Sequence, residues 1–249
     1  MDPLSDQNPL LKKIRRAVSQ GTLTDDGCAV AEGLHLVEEA IAARCEVSAI
    51  LVTEVDSRFP DAKLVSEKSF RSIASTETPQ GILALVKPPV HTIDDVLSGN
   101  ALAVVLDGIQ DPGNAGAILR AAEAFGATGA IFLKGSVNPY NPKCVRGSAG
   151  SIFRLPVVIE NELPALDGIA LYAAMPRADR DIDQADFRKP CAIVIGSEGR
   201  GVRDSIAARA TALRIPTSHV ESLNAAVAAG VLLYEARRQR GAAGRSASR

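Results

Sequence analysis

The chain has 249 residues, 46% hydrophobic and 23% charged, with a formal net charge of −1 and a pI near 6.3. This length suffices for one large domain or two small ones, each with its own core. No apolar run approaches the roughly 20 residues that span a bilayer, and the first residues do not follow a signal-peptide pattern. We therefore expect a cytoplasmic globular protein. The near-neutral charge by itself does not favour nucleic acid as a partner.

Charge is distributed unevenly along the chain. Residues 1–95 contain 10 Lys/Arg and 15 Asp/Glu, whereas residues 96–249 contain 18 and 14. The basic excess lies at the extreme C-terminus. An Arg/Gly/Ala/Ser composition over residues 239–249 predicts a disordered basic tail, which alternatively adds nonspecific affinity for phosphates.

The four cysteines are scattered, without Cys-x-x-Cys pairs or histidines at ligand spacing. This spacing suggests neither a disulfide framework nor a zinc site. We expect small buried apolar side chains at these positions and no metal centre.

Residues 1–87 predict a small α/β domain. Helical segments are expected at 9–19, 34–43 and 67–74. Stretches of strand length occur at 49–53, 63–65 and 81–87. Residues 88–95 contain two adjacent prolines, which exclude a helix and disfavour a central strand, so this segment is the predicted linker.

Residues 96–238 predict a second α/β domain, because continuous apolar runs alternate with helical segments. The runs lie at 101–106, 130–133, 155–159, 169–174, 191–195 and 212–215. Strands that are apolar on both faces indicate a parallel sheet covered on both sides. Ligands bind at the carboxyl ends of such strands, so we expect the functional residues just after Leu106, Ile195 and Ile215.

The first of these strand ends leads into residues 107–120. Asp111 can cap the next helix and Pro112 suits its first turn. Asn114 and Arg120 lie six positions apart, about 600° of helical rotation, so they project from different faces. They act together only if the helix begins late and leaves Asn114 in the loop. Otherwise Asn114 is a turn former and Arg120 a surface residue.

The other two strand ends also lead into polar loops. Residues 196–201 include three glycines, which allow close backbone approach to a ligand, but no P-loop lysine follows. An ordinary tight turn before a helix over 202–210 is the alternative. The loop after Ile215 opens a helix that is expected to end near Arg238. His219 in that loop is a candidate general base, or it has no role.

Together, the three blocks resemble the motifs of the SpoU/TrmH family of RNA 2′-O-methyltransferases. The matching segments are DPGNAGAILR at 111–120, IGSEGRG at 195–201, IP at 215–216 and ESLN at 221–224. Segments at 31–40 and 76–81 are similar to the substrate-binding domain that precedes the catalytic domain in many members. The resemblance covers nearly the whole chain, and the order and spacing of the motifs make it specific.

The resemblance implies a fold that topology rules alone would discourage. The expected catalytic domain is an α/β domain with a parallel sheet and a deep C-terminal trefoil knot. The domain before it is a small α/β domain similar to ribosomal protein L30e. S-adenosyl-L-methionine is the implied cofactor, bound in the knot. The implied assembly is a homodimer with the last helix at its interface, and small residues near the start of that helix suit close packing.

The family motifs also imply roles for individual residues. The implied catalytic residues are Asn114, Arg120, Glu198, Ser222 and Asn224. The implied cofactor contacts are Gly196, Gly199, Ile215 and Leu223. The candidate RNA-binding residues are Lys12, Lys13, Arg15, Arg16, Lys143 and Arg146. The last two alternatively belong to a solvated loop. The loop 216–222 is one residue shorter than a common family form, and Thr217 and His219 replace its usual Met and Gly.

The implied activity is S-adenosylmethionine-dependent methylation of a ribose 2′-hydroxyl in structured RNA. The L30e-like domain favours ribosomal RNA, most simply 23S, over transfer RNA. A transfer RNA methyltransferase, a noncatalytic RNA-binding or ribosome-associated protein, and a nucleotide-dependent enzyme are the alternatives. Because a guanidinium pKa exceeds about 12, we expect Arg120 to hold a phosphate and stabilise a developing alkoxide rather than act as a base.

Overall fold

The computed structural model describes the backbone of residues 2–246 and the side chains of residues 2–241. The elements of the first part of the chain are α1 (Pro9–Gln20), β1 (Ala29–Glu32), α2 (Leu34–Ala42), β2 (Glu46–Val52), β3 (Lys63–Leu64), α3 (Glu67–Arg71) and β4 (Ile82–Lys87). Those of the middle are α4 (Ile93–Val96), β5 (Leu102–Asp107), α5 (Pro112–Ala124), β6 (Gly129–Leu133), α6 (Pro142–Gly147) and β7 (Val157–Glu160). The remainder are β8 (Ala170–Ala174), β9 (Cys191–Gly196), α7 (Asp204–Ala207), β10 (Thr211–Leu213) and α8 (Ala225–Ser246).

The chain divides into two units. Unit 1 comprises the residues up to Val90 together with Asn138–Arg154, and unit 2 comprises His91–Val137 and the residues from Leu155 onward. The chain therefore leaves unit 2 after β6 and returns to it just before β7. The domain predicted over residues 96–238 includes residues 138–154, which here belong to unit 1.

Unit 1 is built on a four-stranded sheet with the order β1-β4-β2-β3. Strand β4 is antiparallel to β1 and β2, and β2 is parallel to β3. Helix α1 contributes Leu11, Ile14 and Ala17, at helical spacing, to a core that also contains Phe70 and Leu83. Strand β1 was not predicted because it has only four residues, two of them alanine, a residue that is depleted in strands.

The segment 138–154 is tied to the rest of unit 1 by polar contacts. Helix α6 packs against β1. Arg146 Nη1 donates a hydrogen bond to Ser75 Oγ at 3.0 Å, and Ser75 Oγ donates in turn to the buried carboxylate of Glu32 at 2.6 Å. Arg154 forms an ion pair with Glu39 of α2. These are contacts between side chains far apart in sequence, which periodicity does not detect.

Unit 2 is built on a six-stranded sheet with the order β10-β8-β9-β5-β6-β7. Every pairing in it is parallel, which confirms the fold class predicted from the continuous apolar runs. Strands β5 and β6 are buried along their whole length. Because the strands share one direction, the carboxyl ends of β5, β9 and β10 lie at the same edge. Asp107 and Gly196 are register partners at that edge.

Several helix boundaries differ from those expected. Helix α4 begins within the predicted linker, because Thr92 and Asp95 form a capping box there. Helix α7 spans only Asp204–Ala207 of the predicted 202–210, and α3 ends at Arg71. Within the described residues, no helix combines the length and the apolar content needed to cross a membrane.

Helix α8 packs against α5, with Leu232 and Leu233 buried and Tyr234 edge-on to Phe125 at 5.8 Å between ring centroids. The helix runs to Ser246, whereas sequence analysis placed a disordered tail over 239–249. Residues 239–246 continue the helix, and residues 247–249 lie outside the described part of the chain.

Hydrogen bonds of the Arg240 side chain hold the helix beyond residue 238 against the rest of unit 2. Its guanidinium donates to the backbone carbonyls of Asn100 at 2.6 Å and Ala101 at 2.7 Å. It also donates to the carbonyls of Phe187 at 2.8 Å and Lys189 at 3.0 Å. One side chain therefore satisfies four carbonyls in the segments that precede β5 and β9.

We predict that Arg240→Met lowers the free energy of unfolding by about 2 kcal/mol or more, because it removes charge-assisted hydrogen bonds to several carbonyls. Urea unfolding followed by circular dichroism measures this. Arg209→Met is the control, since Arg209 is exposed and a surface substitution of this kind changes stability by about 0.5 kcal/mol or less. Equal losses in the two variants would contradict the anchoring role.

Candidate active site at the carboxyl ends of the parallel strands

Three side chains from the three motif blocks form one hydrogen-bonded cluster. Asn114 Nδ2 donates to Glu198 Oε1 at 2.5 Å. Asn224 Nδ2 donates to Asn114 Oδ1 at 3.0 Å. Both ends of the Asn114 amide are therefore occupied, which fixes its orientation. The structure thus joins three of the five residues that the family motifs imply to be catalytic.

Each member of this cluster is held by the start of a helix or by a tight loop. Asp111 caps α5 by accepting from Asn114 N at 2.7 Å. Asn224 Oδ1 accepts from Ala226 N at 2.9 Å and from Val227 N at 3.3 Å, as an N-cap does. Asn224 therefore both caps α8 and joins the cluster, while Asp111 caps α5 and fixes the backbone of Asn114 in its first turn.

The loop that carries Glu198 is closed upon itself. Gly201 N donates to the carbonyl of Ser197 at 2.8 Å. A Cβ at Gly196 would lie 2.2 Å from the carbonyl carbon of Gly201, so only glycine fits there. At Gly199, in contrast, no atom lies within 4 Å of the position that a Cβ would occupy, so its backbone is open to a ligand. Of these two predicted cofactor contacts, Gly196 is required by the loop and Gly199 is accessible.

Arg120 and Ser222 lie outside the cluster. Helix α5 already begins at Pro112, so Asn114 belongs to its first turn, and the condition for sharing a face with Arg120 is not met. Both Arg120 and Ser222 are exposed, and neither side chain has a hydrogen-bond partner among the described residues. The Arg120 guanidinium is consequently available to an anion.

The two apolar residues implied as cofactor contacts, Ile215 and Leu223, are half-buried on either side of an exposed loop. Within that loop Thr217 Oγ1 donates to the carbonyl of Val220 at 2.9 Å. His219 is exposed and has a φ of 63°, in the left-handed region. No hydrogen bond within the described chain orients the His219 ring, so the structure provides no support for it as a base.

The basic residues predicted to bind RNA differ in how far they are already neutralised. Lys13 pairs with Asp26 at 2.5 Å, and Arg16 pairs with Asp25 at 3.1 Å. Arg15 donates to Ser72 Oγ at 2.7 Å. Lys12 and Lys143 are exposed, with no ion pair in the described part of the chain. The paired residues contribute less free positive charge than their number suggests.

Sequence analysis did not identify the pair formed by Asp107 and Arg203. The Asp107 side chain is 1% exposed and accepts from Arg203 Nε at 2.6 Å and from Arg203 N at 2.8 Å. The available signal was a carboxylate directly after a run of buried apolar residues, because a buried charge requires a partner. The sequence does not show which cation supplies it.

The cysteines are free thiols; Cys28, Cys144 and Cys191 are buried, as predicted, whereas Cys45 is only half-buried, so the prediction is wrong for Cys45. Burial raises the pKa of Cys144 to about 12 and also raises the pKa of Cys191. Among the described residues, no group of three or more His, Cys, Asp or Glu side chains could hold a metal ion.

Sequence families account for both parts of the chain. Residues 101–234 match the model of the SpoU rRNA methylase family, and residues 8–84 match an MRM3-like substrate-binding domain. The chain therefore belongs to the SpoU methylase family, and the resemblance predicted from the three motif blocks is confirmed.

Individual relatives resemble the chain over nearly its whole length. An uncharacterised tRNA/rRNA methyltransferase of Synechocystis is 35% identical over 96% of this chain and 94% of its own. The 23S rRNA (guanosine(2553)-2′-O)-methyltransferase RlmP of Bacillus subtilis is 31% identical over 94% of this chain and 98% of its own. The AdoMet-bound rRNA methyltransferase of Sinorhizobium meliloti superimposes with a TM-score of 0.82. It is 29% identical, over 94% of this chain and 96% of its own.

Asn224 has two roles, as the N-cap of α8 and as a member of the cluster, and substitutions can test the first separately. We predict that Asn224→Ala lowers the free energy of unfolding by about 1 kcal/mol, because the N-cap of α8 is lost. Asn224→Asp keeps the cap oxygen, so we expect at least half of that loss to be avoided. Thermal or urea unfolding of both variants tests this. Equal destabilisation would mean that the side chain does not act as a cap.

Proposed function

We propose that this protein transfers a methyl group from S-adenosyl-L-methionine to a ribose 2′-hydroxyl of structured RNA, with 23S ribosomal RNA as the substrate. The observation that carries the proposal is the Asn114–Glu198–Asn224 cluster, which unites the three family motifs at one edge of the sheet. The 23S rRNA specificity in the name of the Bacillus subtilis relative supports this substrate. Ribosomal RNA as substrate also implies a cytoplasmic site of action.

The residues at this edge fit the cofactor. S-adenosyl-L-methionine, when bound, supplies a methyl group already activated by a positively charged sulfonium. Glu198 disfavours a phosphate ligand but suits a cation. The open backbone at Gly199 and the half-buried side chains of Ile215 and Leu223 suit the cofactor's polar and apolar parts. We assign its binding to these residues and to Gly196.

The chain's own residues then have to align a poor nucleophile and assist its deprotonation. Asn114, held by Glu198 and Asn224, is a fixed polar group that orients the ribose. Arg120 projects from a different face of α5, so we assign it to the phosphate next to the target ribose rather than to the group that Asn114 orients; its exposed guanidinium has no partner in the described chain. Ser222 supplies a further exposed hydroxyl beside the cluster.

We assign RNA recognition chiefly to unit 1, that is, to the N-terminal domain, residues 1–87, with a proposed L30e-like fold, and to the segment 138–154 that joins it. The match to a substrate-binding family supports this assignment. Lys12, Lys143 and Arg146 are the principal basic contacts, since Lys13 and Arg16 are already paired with carboxylates. Recognition by shape and by the 2′-hydroxyl suits a protein whose formal net charge is −1.

The catalytic domain, residues 96–238, is proposed to contain a deep C-terminal trefoil knot and to form a homodimer. The strand order β10-β8-β9-β5 requires crossover connections near the C-terminus, which is compatible with a knot. On α8, Val227 is 52% exposed and Tyr234 is 56% exposed, and such apolar side chains suit an interface with a second copy.

Methyl transfer from labelled S-adenosylmethionine to total RNA of a deletion strain tests the function. Label in 23S RNA, mapped to one ribose by a reverse-transcription stop, is the expected result. Label in transfer RNA alone would identify transfer RNA, and not 23S RNA, as the substrate. No transfer to any RNA, with cofactor binding intact, would favour a noncatalytic RNA-binding role.

At the residue level, we predict that Asn114→Ala and Arg120→Ala each lower kcat on the order of 100-fold, because each removes an interaction used in the transition state. Cofactor affinity measured by isothermal titration calorimetry should stay within about threefold of wild type. Arg209→Ala is the exposed-arginine control. Near wild-type rates in both test variants would overturn the assignment.

A further inference from the structure

We infer that Asp107 is a positioning residue, which fixes the far end of the glycine-containing loop against β5 so that the loop can bind its ligand. Asp107 ends β5, and its backbone partner in the sheet is Gly196, where that loop begins. Its carboxylate binds Arg203, where the loop ends. The same residue therefore meets the loop at both ends, once through the strand register and once through its side chain.

The pairing is strong and specific. The Asp107 side chain is almost fully buried, and both of its oxygens are used, Oδ2 by Arg203 N at 2.8 Å and Oδ1 by Arg203 Nε at 2.6 Å. Arg203 N lies at the start of α7, so the carboxylate also satisfies a free donor at a helix terminus. Breaking a buried pair leaves an uncompensated charge, so removal of either partner should displace the loop.

The Arg203 side chain has few other partners that could hold it. Its Nη1 lies 3.6 Å from the exposed carboxylate of Glu162, an ion pair that water screens. Its Nη2 is buried and has no partner in the described part of the chain. The conformation of Arg203, and with it the loop end, consequently depends on Asp107.

This inference assumes the proposed cofactor and refines how it is held. The loop carries Gly199 and Glu198, so a displaced loop end affects cofactor affinity before it affects chemistry. We expect Asp107→Asn, which keeps the shape but removes the charge, to weaken S-adenosylmethionine binding on the order of 10- to 100-fold. At saturating cofactor, kcat should fall less than the affinity does, because bound cofactor restores part of the position of the loop that carries Glu198.

The full-length protein offers a matched control. Asp186 accepts from Arg188 N at 3.2 Å and from Arg188 Nε at 2.7 Å, the same two donors as at Asp107, but within a local turn. Asp186→Asn should leave cofactor affinity unchanged. Calorimetric titration with S-adenosylmethionine and urea unfolding are measured for Asp107→Asn, Arg203→Met, the double variant and Asp186→Asn.

A double-mutant cycle decides the outcome. We expect the double variant to bind cofactor no more weakly than the worse single variant, because both substitutions break one interaction. Additive losses, or reduced stability with unchanged affinity, would overturn the positioning role. If Asp107→Asn does not fold, Arg203→Met alone decides: weakened cofactor binding supports the positioning role, and wild-type affinity in Arg203→Met overturns it. Wild-type protein that binds no S-adenosylmethionine would instead refute the proposed function, and this inference with it.

Discussion

The parallel pairing of β5 with β9 is the constraint on which the arrangement of unit 2 depends. Both faces of these strands are buried, so their polar side chains can lie only at the strand ends. Parallel direction brings those ends to one edge, and the register sets Asp107 opposite Gly196. Asp107 and Gly196, which lie 89 positions apart in the sequence, thereby become neighbours before any side-chain contact is considered.

At that edge, one set of side chains serves both folding and the site. Asp111 caps α5 and holds Asn114 through its backbone N–H, while Asn224 caps α8 and holds Asn114 through its amide. Asn224 is both a helix cap and a member of the cluster, and Asp111 fixes the backbone of Asn114. Formation of the two helices therefore also orients the cluster. A preformed polar group of this kind needs no reorganisation when a substrate arrives, which is the property that transition-state stabilisation requires.

The elements of unit 2 could be predicted because their signal is local: six continuous apolar runs correspond to its six strands. Residues that form the site could be located at strand ends, but their partners could not. Arg203 of Asp107 and Glu198 of Asn114 lie 96 and 84 positions away, and periodicity carries no information on such pairs. Residues 239–246 of α8 were not predicted for the same reason, since the groups that bind Arg240 lie near residues 100 and 188.

The charge distribution explains how a protein with a net charge of −1 can suit an RNA substrate. Lys13 and Arg16 are offset by Asp26 and Asp25, so α1 offers less attraction to phosphates than its sequence indicates. Affinity that comes from a few unpaired cations is local, whereas a broadly basic surface attracts any polyanion. Arg120 is such a cation on the helix that begins at the site. If Arg120 holds a phosphate as proposed, its position selects one place along the RNA, and selectivity follows from where the charge is uncompensated rather than from its total.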